Sequence, residues 1–186
     1  MLNESFAKIV ETVTNITGVS NEDFAALKEK SSEIATWKDE IISLFYNTLY
    51  ANGSTSKVFK DGEREQREKM LGSWLEQLLS VEDDKEFWRV QGKIAFAHVK
   101  RHVYNEYMVG ISSRLQEFFW EKSIATFSPQ EALKVGQAFT RIISTVVGIT
   151  VGLYDLIIAE VTGASPELIN NLIESSLAEL QQEFSM

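Results

Sequence analysis

Only two prolines occur in the 186 residues of this chain. Proline lacks a backbone N–H and its ring clashes with the carbonyl four residues back, so it breaks helix interiors. Here each proline directly follows a serine, in Ser128-Pro129-Gln130-Glu131 and in Ser165-Pro166-Glu167. That order puts serine at the N-cap and proline at the first helical position, where a missing donor does no harm. Glu131 adds the acid that completes a capping box. Both prolines therefore start helices, and elsewhere helices can run unbroken.

The apolar residues recur at helical spacing. Ser20-Asn21-Glu22-Asp23 opens like a capping box, and Phe24, Leu27, Ile34, Trp37, Ile41, Phe45 and Leu49 follow at intervals of three, four and seven. The stripe predicts two consecutive helices ending near Asn52-Gly53. Residues 51–62 are rich in Gly, Ser, Thr, Asn and Asp and read as a loop. Met70, Leu71, Trp74, Leu75, Leu78 and Leu79 mark the next helix, which stops before Val81. Phe87, Val90, Ile94, Ala97 and His98 mark another, and Tyr107, Ile111, Leu115, Phe118 and Phe119 a fifth. The expectation is an all-α fold of seven or so helices.

Residues 129–162 are expected to form one long helix, whose middle from Ile142 to Gly152 is apolar or small around its whole circumference. Such a helix must be covered on every side. Gly148 and Gly152 would admit a neighbouring helix closely. That neighbour is either a second subunit or another part of the same chain, and the pattern alone does not choose. The most apolar run, Ile142–Tyr154, is shorter than the ~20 residues that cross a bilayer, so no membrane span is expected. The N-terminus has no basic start and no apolar core of an export signal. The three Asn-x-Ser/Thr sequons at Asn3, Asn15 and Asn52 are then chance matches, and a cytoplasmic location is expected.

Composition removes many chemistries. The chain has no cysteine, which excludes disulfides, thiolate-bound zinc, iron–sulfur clusters and cysteine nucleophiles. The net charge of −9 argues against a phosphate-binding surface, so no nucleic-acid partner is expected. Glycine-rich phosphate loops, the Gly-x-Ser-x-Gly elbow and the His-Glu-x-x-His motif are absent. The only histidines, His98 and His102, stand four apart, the spacing of one helical turn. Two ligands make a weak metal site, and Glu106 would lie about 12 Å from His98 along a continuous helix. By periodicity alone, His98 at the end of an apolar stripe is more often an ordinary core histidine than a ligand.

A longer pattern separates those readings. The run from Trp88 to Arg101, containing Ile94-Ala95-Phe96-Ala97-His98, is followed by Tyr107-Met108-Val109-Gly110. It resembles the F helix and early G helix of the globin-coupled sensors and protoglobins. Upstream, Ser43-Leu44-Phe45-Tyr46-Asn47-Thr48-Leu49 resembles that family's B helix, and Met70-Leu71-Gly72-Ser73-Trp74-Leu75 its E helix. The order of the motifs is kept over about residues 20–160.

The resemblance implies a globin-like fold with an additional N-terminal helix and a C-terminal linker helix, divided into a sensor domain at 1–163 and a helix at 164–186. It implies haem b as cofactor, with His98 as the proximal iron ligand and Tyr46 on the distal face. Phe45, Met70, Leu71, Phe96 and Met108 are the expected lining of the haem pocket. It further implies binding of oxygen, and of carbon monoxide or nitric oxide, in a homodimer built on the G and H helices. The function expected is haem-based gas sensing rather than catalysis, since the chain has no reductase region. The alternative is a haem-free globin-like interaction module, as in related stress-sensor domains. Leu168, Leu172, Ile173, Leu177, Leu180 and Phe184 form a stripe on the last helix. That helix either leads to an output domain or packs as the closing helix of a stand-alone protein. The chain departs from the family in lacking a Gly-Pro pair after the proximal histidine, where Arg101-His102-Val103 stands instead. Arg67 falls in the E-helix region near the ligand, from which it could reach a haem propionate or solvent.

Overall fold

A computed structural model describes residues 2–184. Its helices are α1 (Leu2–Thr17), α2 (Asn21–Glu29), α3 (Ser31–Ala35), α4 (Lys38–Ala51), α5 (Arg64–Leu78), α6 (Asp84–Lys100), α7 (Asn105–Thr126), α8 (Pro129–Thr162) and α9 (Pro166–Phe184). No strand occurs among the described residues. The fold is all-α, as expected. The stripe between residues 20 and 51 makes three helices rather than two, because the chain turns at Lys30 and again at Trp37 without a glycine or proline to announce it. The expected loop at 51–62 contains one 3-10 turn, Thr55–Val58.

The local start signals behave as their chemistry requires. Ser20 and Ser128 each form a capping box with the acid three residues on, Asp23 and Glu131. Pro129 and Pro166 open α8 and α9, and Gly163 ends α8 in the left-handed conformation at φ 67°.

The core is a layer of aromatic and aliphatic side chains between α8 and the helices around it. Phe119 of α7 stacks on Phe139 of α8 with centroids 3.6 Å apart, and Trp37 meets Phe119 edge-on at 5.3 Å. Phe24, Phe87 and Trp88 form a second edge-to-face group joining α2 to α6. Beneath them Asp23, almost fully buried, accepts two hydrogen bonds from Arg141 at 3.0 and 2.7 Å.

The close neighbour of the α8 glycines is α1, within the same chain. A Cβ on Gly148 would stand 2.6 Å from Val13, and one on Gly152 2.8 Å from Ile9. On α6, a Cβ at Gly92 would meet the ring of Phe6 at 2.5 Å. Phe6, Ile9 and Val13 lie on one face of α1, and Thr17 extends it with a 2.7 Å hydroxyl contact to Thr145. Three bare stretches of backbone thus form the seat for α1.

As a whole, α8 is long and apolar enough to cross a membrane, with a best window of mean hydropathy 2.0. The uninterrupted run Ile142–Tyr154, too short by itself to cross a bilayer, is only part of that apolar length. In the fold, α8 instead packs against α7, α2, α1 and α6. Its buried Thr145 and Thr150 hydroxyls donate to carbonyls one turn back, at 2.8 and 2.9 Å.

The corner after α6 is closed by a hydrogen-bond pair of the Schellman type. Val103 N–H donates to the His98 carbonyl and His102 N–H to that of Val99, both at 3.0 Å. His102 takes the left-handed position at φ 56°, which favours glycine. Replacing His102 by glycine is therefore expected to stabilise the fold by about 1 kcal/mol. Urea unfolding checks this through a higher midpoint at unchanged slope.

Candidate functional site

Helices α4, α5, α6, α7 and α8 line a half-open cavity of about 270 Å³. This is near the lower end of the roughly 300–1,000 Å³ of small-molecule pockets. Each helix contributes by its own register. From α4 come Phe45, Tyr46 and Leu49; from α5, Arg67, Met70, Leu71 and Trp74. From α6 come Gln91, Ile94, Ala97 and His98, and from α7, Tyr107, Met108, Ile111, Ser112 and Leu115. Ile143, Val146 and Val147 of α8 close the far wall. The lining is predominantly apolar, with a few polar side chains converging on it.

Six of the seven expected site residues meet here: His98, Tyr46, Phe45, Met70, Leu71 and Met108. Phe96 does not. Two residues from His98 on an α-helix is about 200° of rotation, so the two side chains leave α6 on opposite sides. Phe96 is accordingly 44% exposed on the outer surface. Nor do His98 and His102 form a one-turn pair, because α6 ends between them. Glu106 lies on α7, and no cluster of three or more metal-binding side chains occurs among the described residues.

His98 has the properties of a ligand in waiting. Its Nδ1 is buried and has no partner at full hydrogen-bond geometry, the Ile94 carbonyl one turn back making only a weaker approach to the ring. Burial pushes the imidazole pKa below its ordinary value; the Ile94 carbonyl one turn back opposes the fall and the Arg67 charge adds to it. The ring is therefore neutral at physiological pH, the form in which a ring nitrogen offers a lone pair to a metal. These features fit a haem group, which needs one imidazole donor and apolar walls.

Tyr46 is held differently. Its ring is buried among Phe45, Tyr50 and Phe59, and its hydroxyl donates to the backbone carbonyl of Arg67 at 2.7 Å. Burial pushes its pKa upward, so the phenol keeps its proton. That bond ties α4 to α5 across one side of the cavity.

Some polar residues of the site were not singled out by the sequence pattern. Gln91 sits two turns before His98 on the same face of α6 and is 2% exposed. Its Oε1 accepts the indole N–H of Trp74 at 3.1 Å, leaving Nε2 buried without a partner. An indole N–H can only donate, so the amide orientation is settled by chemistry. Glu63, just ahead of α5, bridges Arg67 and Arg101. Its carboxyl pKa is lowered to about 2, chiefly by the hydrogen bonds from Arg101. The one signal for Gln91 is its spacing of seven from His98; Glu63 and Arg101 stand 38 residues apart and share no local pattern.

The comparisons with known proteins agree with this fold. The chain is similar to the globin domain of the Escherichia coli DosC in its ferric form, with 15% identity and a TM-score of 0.63 over 77% of this chain and 98% of that one. It is likewise similar to the globin domain of a Geobacter sulfurreducens globin-coupled sensor, with 17% identity and a TM-score of 0.64 over 77% and 96% of the two chains. No curated protein sequence matches it. The family model for protoglobin matches residues 7–154, from the first helix through the cavity-lining part of α8. The chain belongs to the protoglobin family.

Proposed function

We propose that this chain is a haem-binding sensor domain for diatomic gases, oxygen first and carbon monoxide or nitric oxide besides. The observation that carries the reading is the half-buried imidazole of His98, its Nδ1 buried without a hydrogen bond, in an apolar cavity of a protoglobin-family fold. Haem b, when bound, supplies reversible gas binding at its iron.

The chain's own residues do the rest. Burial keeps His98 unprotonated, and the Schellman corner fixes the carbonyl of His98 and so the end of α6 that carries it. Apolar side chains from α4, α7 and α8 form most of the cavity wall. Tyr46 brings a protonated hydroxyl to the opposite helix pair; to donate to a ligand it must exchange the Arg67 carbonyl for it.

Signalling would leave by α9, where Leu168, Leu172, Ile173 and Leu177 are exposed and available to a partner helix or output region. Leu180 and Phe184 of that stripe lie outside the residues whose side chains are described. Dimerisation through α7 and α8 would use faces other than the glycine seat, which α1 fills. The role proposed is binding and signalling in the cytoplasm, not catalysis.

The test is spectroscopic. Purified protein supplied with haem should show a Soret band that shifts on reduction with dithionite and again on adding carbon monoxide. Absence of any Soret band overturns the haem reading and favours a haem-free interaction module.

A further inference from the structure

Methionine packs readily into apolar walls, and its thioether is open to oxidation wherever it meets solvent. Two methionines line the cavity, Met70 from α5 and Met108 from α7. They differ in access, for Met70 is 54% exposed and Met108 half-buried. Met70 also borders a second, open groove along α5, with Gln66, Ser73, Trp74 and Gln77. It is therefore wall to the cavity on one side and reachable from solvent on the other.

The Met70 sulfur also has a fixed neighbour. Nη1 of Arg67, one turn back on α5, donates to it at 3.5 Å. The arginine is held in turn, because its carbonyl accepts the Tyr46 hydroxyl at 2.7 Å and its Nε donates to Glu63 at 3.2 Å. A thioether is a weak acceptor. The oxygen of a sulfoxide is a much stronger one, so a charged donor already in place favours the oxidised side chain. The same donor occupies one side of the sulfur and leaves the opposite lone pair as the one an oxidant meets. A turn about the flexible Met70 side chain then brings the new oxygen to the guanidinium.

We propose that Met70 is a site of reversible oxidation by hydrogen peroxide, with Arg67 as the residue that positions its sulfur. A sulfur lone pair attacks one peroxide oxygen, the S–O bond forms and the O–O bond breaks. The departing hydroxide takes the proton left on the transferred oxygen and leaves as water. Sulfur is oxidised by two electrons and the peroxide is reduced by two. The product is a polar, chiral side chain where the cavity wall had an apolar one. Peroxide would thereby loosen the cavity's hold on an apolar ligand. Only this last consequence rests on the cavity being the ligand site proposed above; the oxidation itself needs no ligand.

The experiment treats the full-length apoprotein with hydrogen peroxide, then quenches, digests and reads it by mass spectrometry. Met70 is expected to gain one oxygen about tenfold faster than Met108. Two methionine sulfoxide reductases exist, each specific for one sulfoxide epimer. One of them alone should restore nearly all of the oxidised Met70 in wild type and in Arg67→Lys, whereas Arg67→Gln should need both. Oxidised wild type should bind metal-free protoporphyrin about tenfold more weakly, read by quenching of tryptophan fluorescence. Met70→Leu should bind it equally before and after peroxide. Oxidation of Met70 no faster than that of Met108 overturns the proposal, and an even mixture of epimers in wild type removes Arg67 from it. Porphyrin binding that oxidation of Met70 leaves unchanged overturns the effect on the cavity. If the porphyrin fails to bind even before peroxide, the ligand-site reading falls, while the rates and epimers still decide the oxidation site.

Discussion

His98→Ala is expected to abolish stable haem binding, with loss of the Soret band after reconstitution and desalting, while His102→Ala retains it. The two histidines differ in everything that matters to a ligand. His98 lines the cavity, is kept neutral by burial and has a ring nitrogen with no protein partner. His102 lies past the end of α6, exposed, in a left-handed turn. Among the described residues, the other soft donors lining the cavity are the thioethers of Met70 and Met108. Apoprotein stability should change little, by about 1 kcal/mol or less, because removing a buried group that makes no hydrogen bond also removes its desolvation penalty. Added imidazole should restore a Soret band to His98→Gly, which separates a lost ligand from a damaged pocket. Equal loss of haem in the His98 and His102 variants would mean that the proximal assignment is wrong.

Phe119→Ala should cost about 3–5 kcal/mol of stability, the range for deleting a large buried side chain that leaves a cavity. Phe119 is 1% exposed and stands where α7, α8 and the start of α4 converge. Its centroid lies 3.6 Å from that of Phe139. That is closer than the roughly 4.5–7 Å of favourable ring pairs, so burial rather than ring attraction carries the cost. The helices it joins have no shared hydrogen-bond ladder to compensate. In a chain of this length the melting temperature should fall by about 10 °C. Thermal unfolding followed by circular dichroism reads the shift, and a fall of only a degree or two would show that the ring cluster does not hold these helices together.

What could be read from the residues divides by range. Capping boxes and prolines act within four residues, so the starts at Ser20, Ser128 and Ser165 were legible, as was the full length of α8. The breaks at Lys30 and Trp37 were not, because packing of Ile34 and Trp37 into the core imposes them, rather than a residue that forbids helix. At the site, the ordered motifs brought His98, Tyr46 and Met108 to one cavity although they lie on three helices. Phe96 lies outside the cavity because two residues along α6 turn its side chain about 200° from that of His98, a rotation the family resemblance does not override. Glu63 escaped notice because its partner Arg101 is supplied by a different helix end, and only the folded chain brings the two together.

The seat of α1 bears on where this protein can be cut. The match to its family begins at Ala7, one residue after the ring that fills the notch at Gly92. A fragment trimmed to that boundary would lose Phe6 and keep Ile9 and Val13. It would open a hole over the backbone of Gly92, on the face of α6 turned to α1. A fragment begun at Ser20 would uncover helix backbone along α6 and α8 at Gly92, Gly148 and Gly152, where no side chain of those glycines can fold over to cover it. The first helix is thus part of the packed fold, and an expression boundary set by family similarity alone would cut through it.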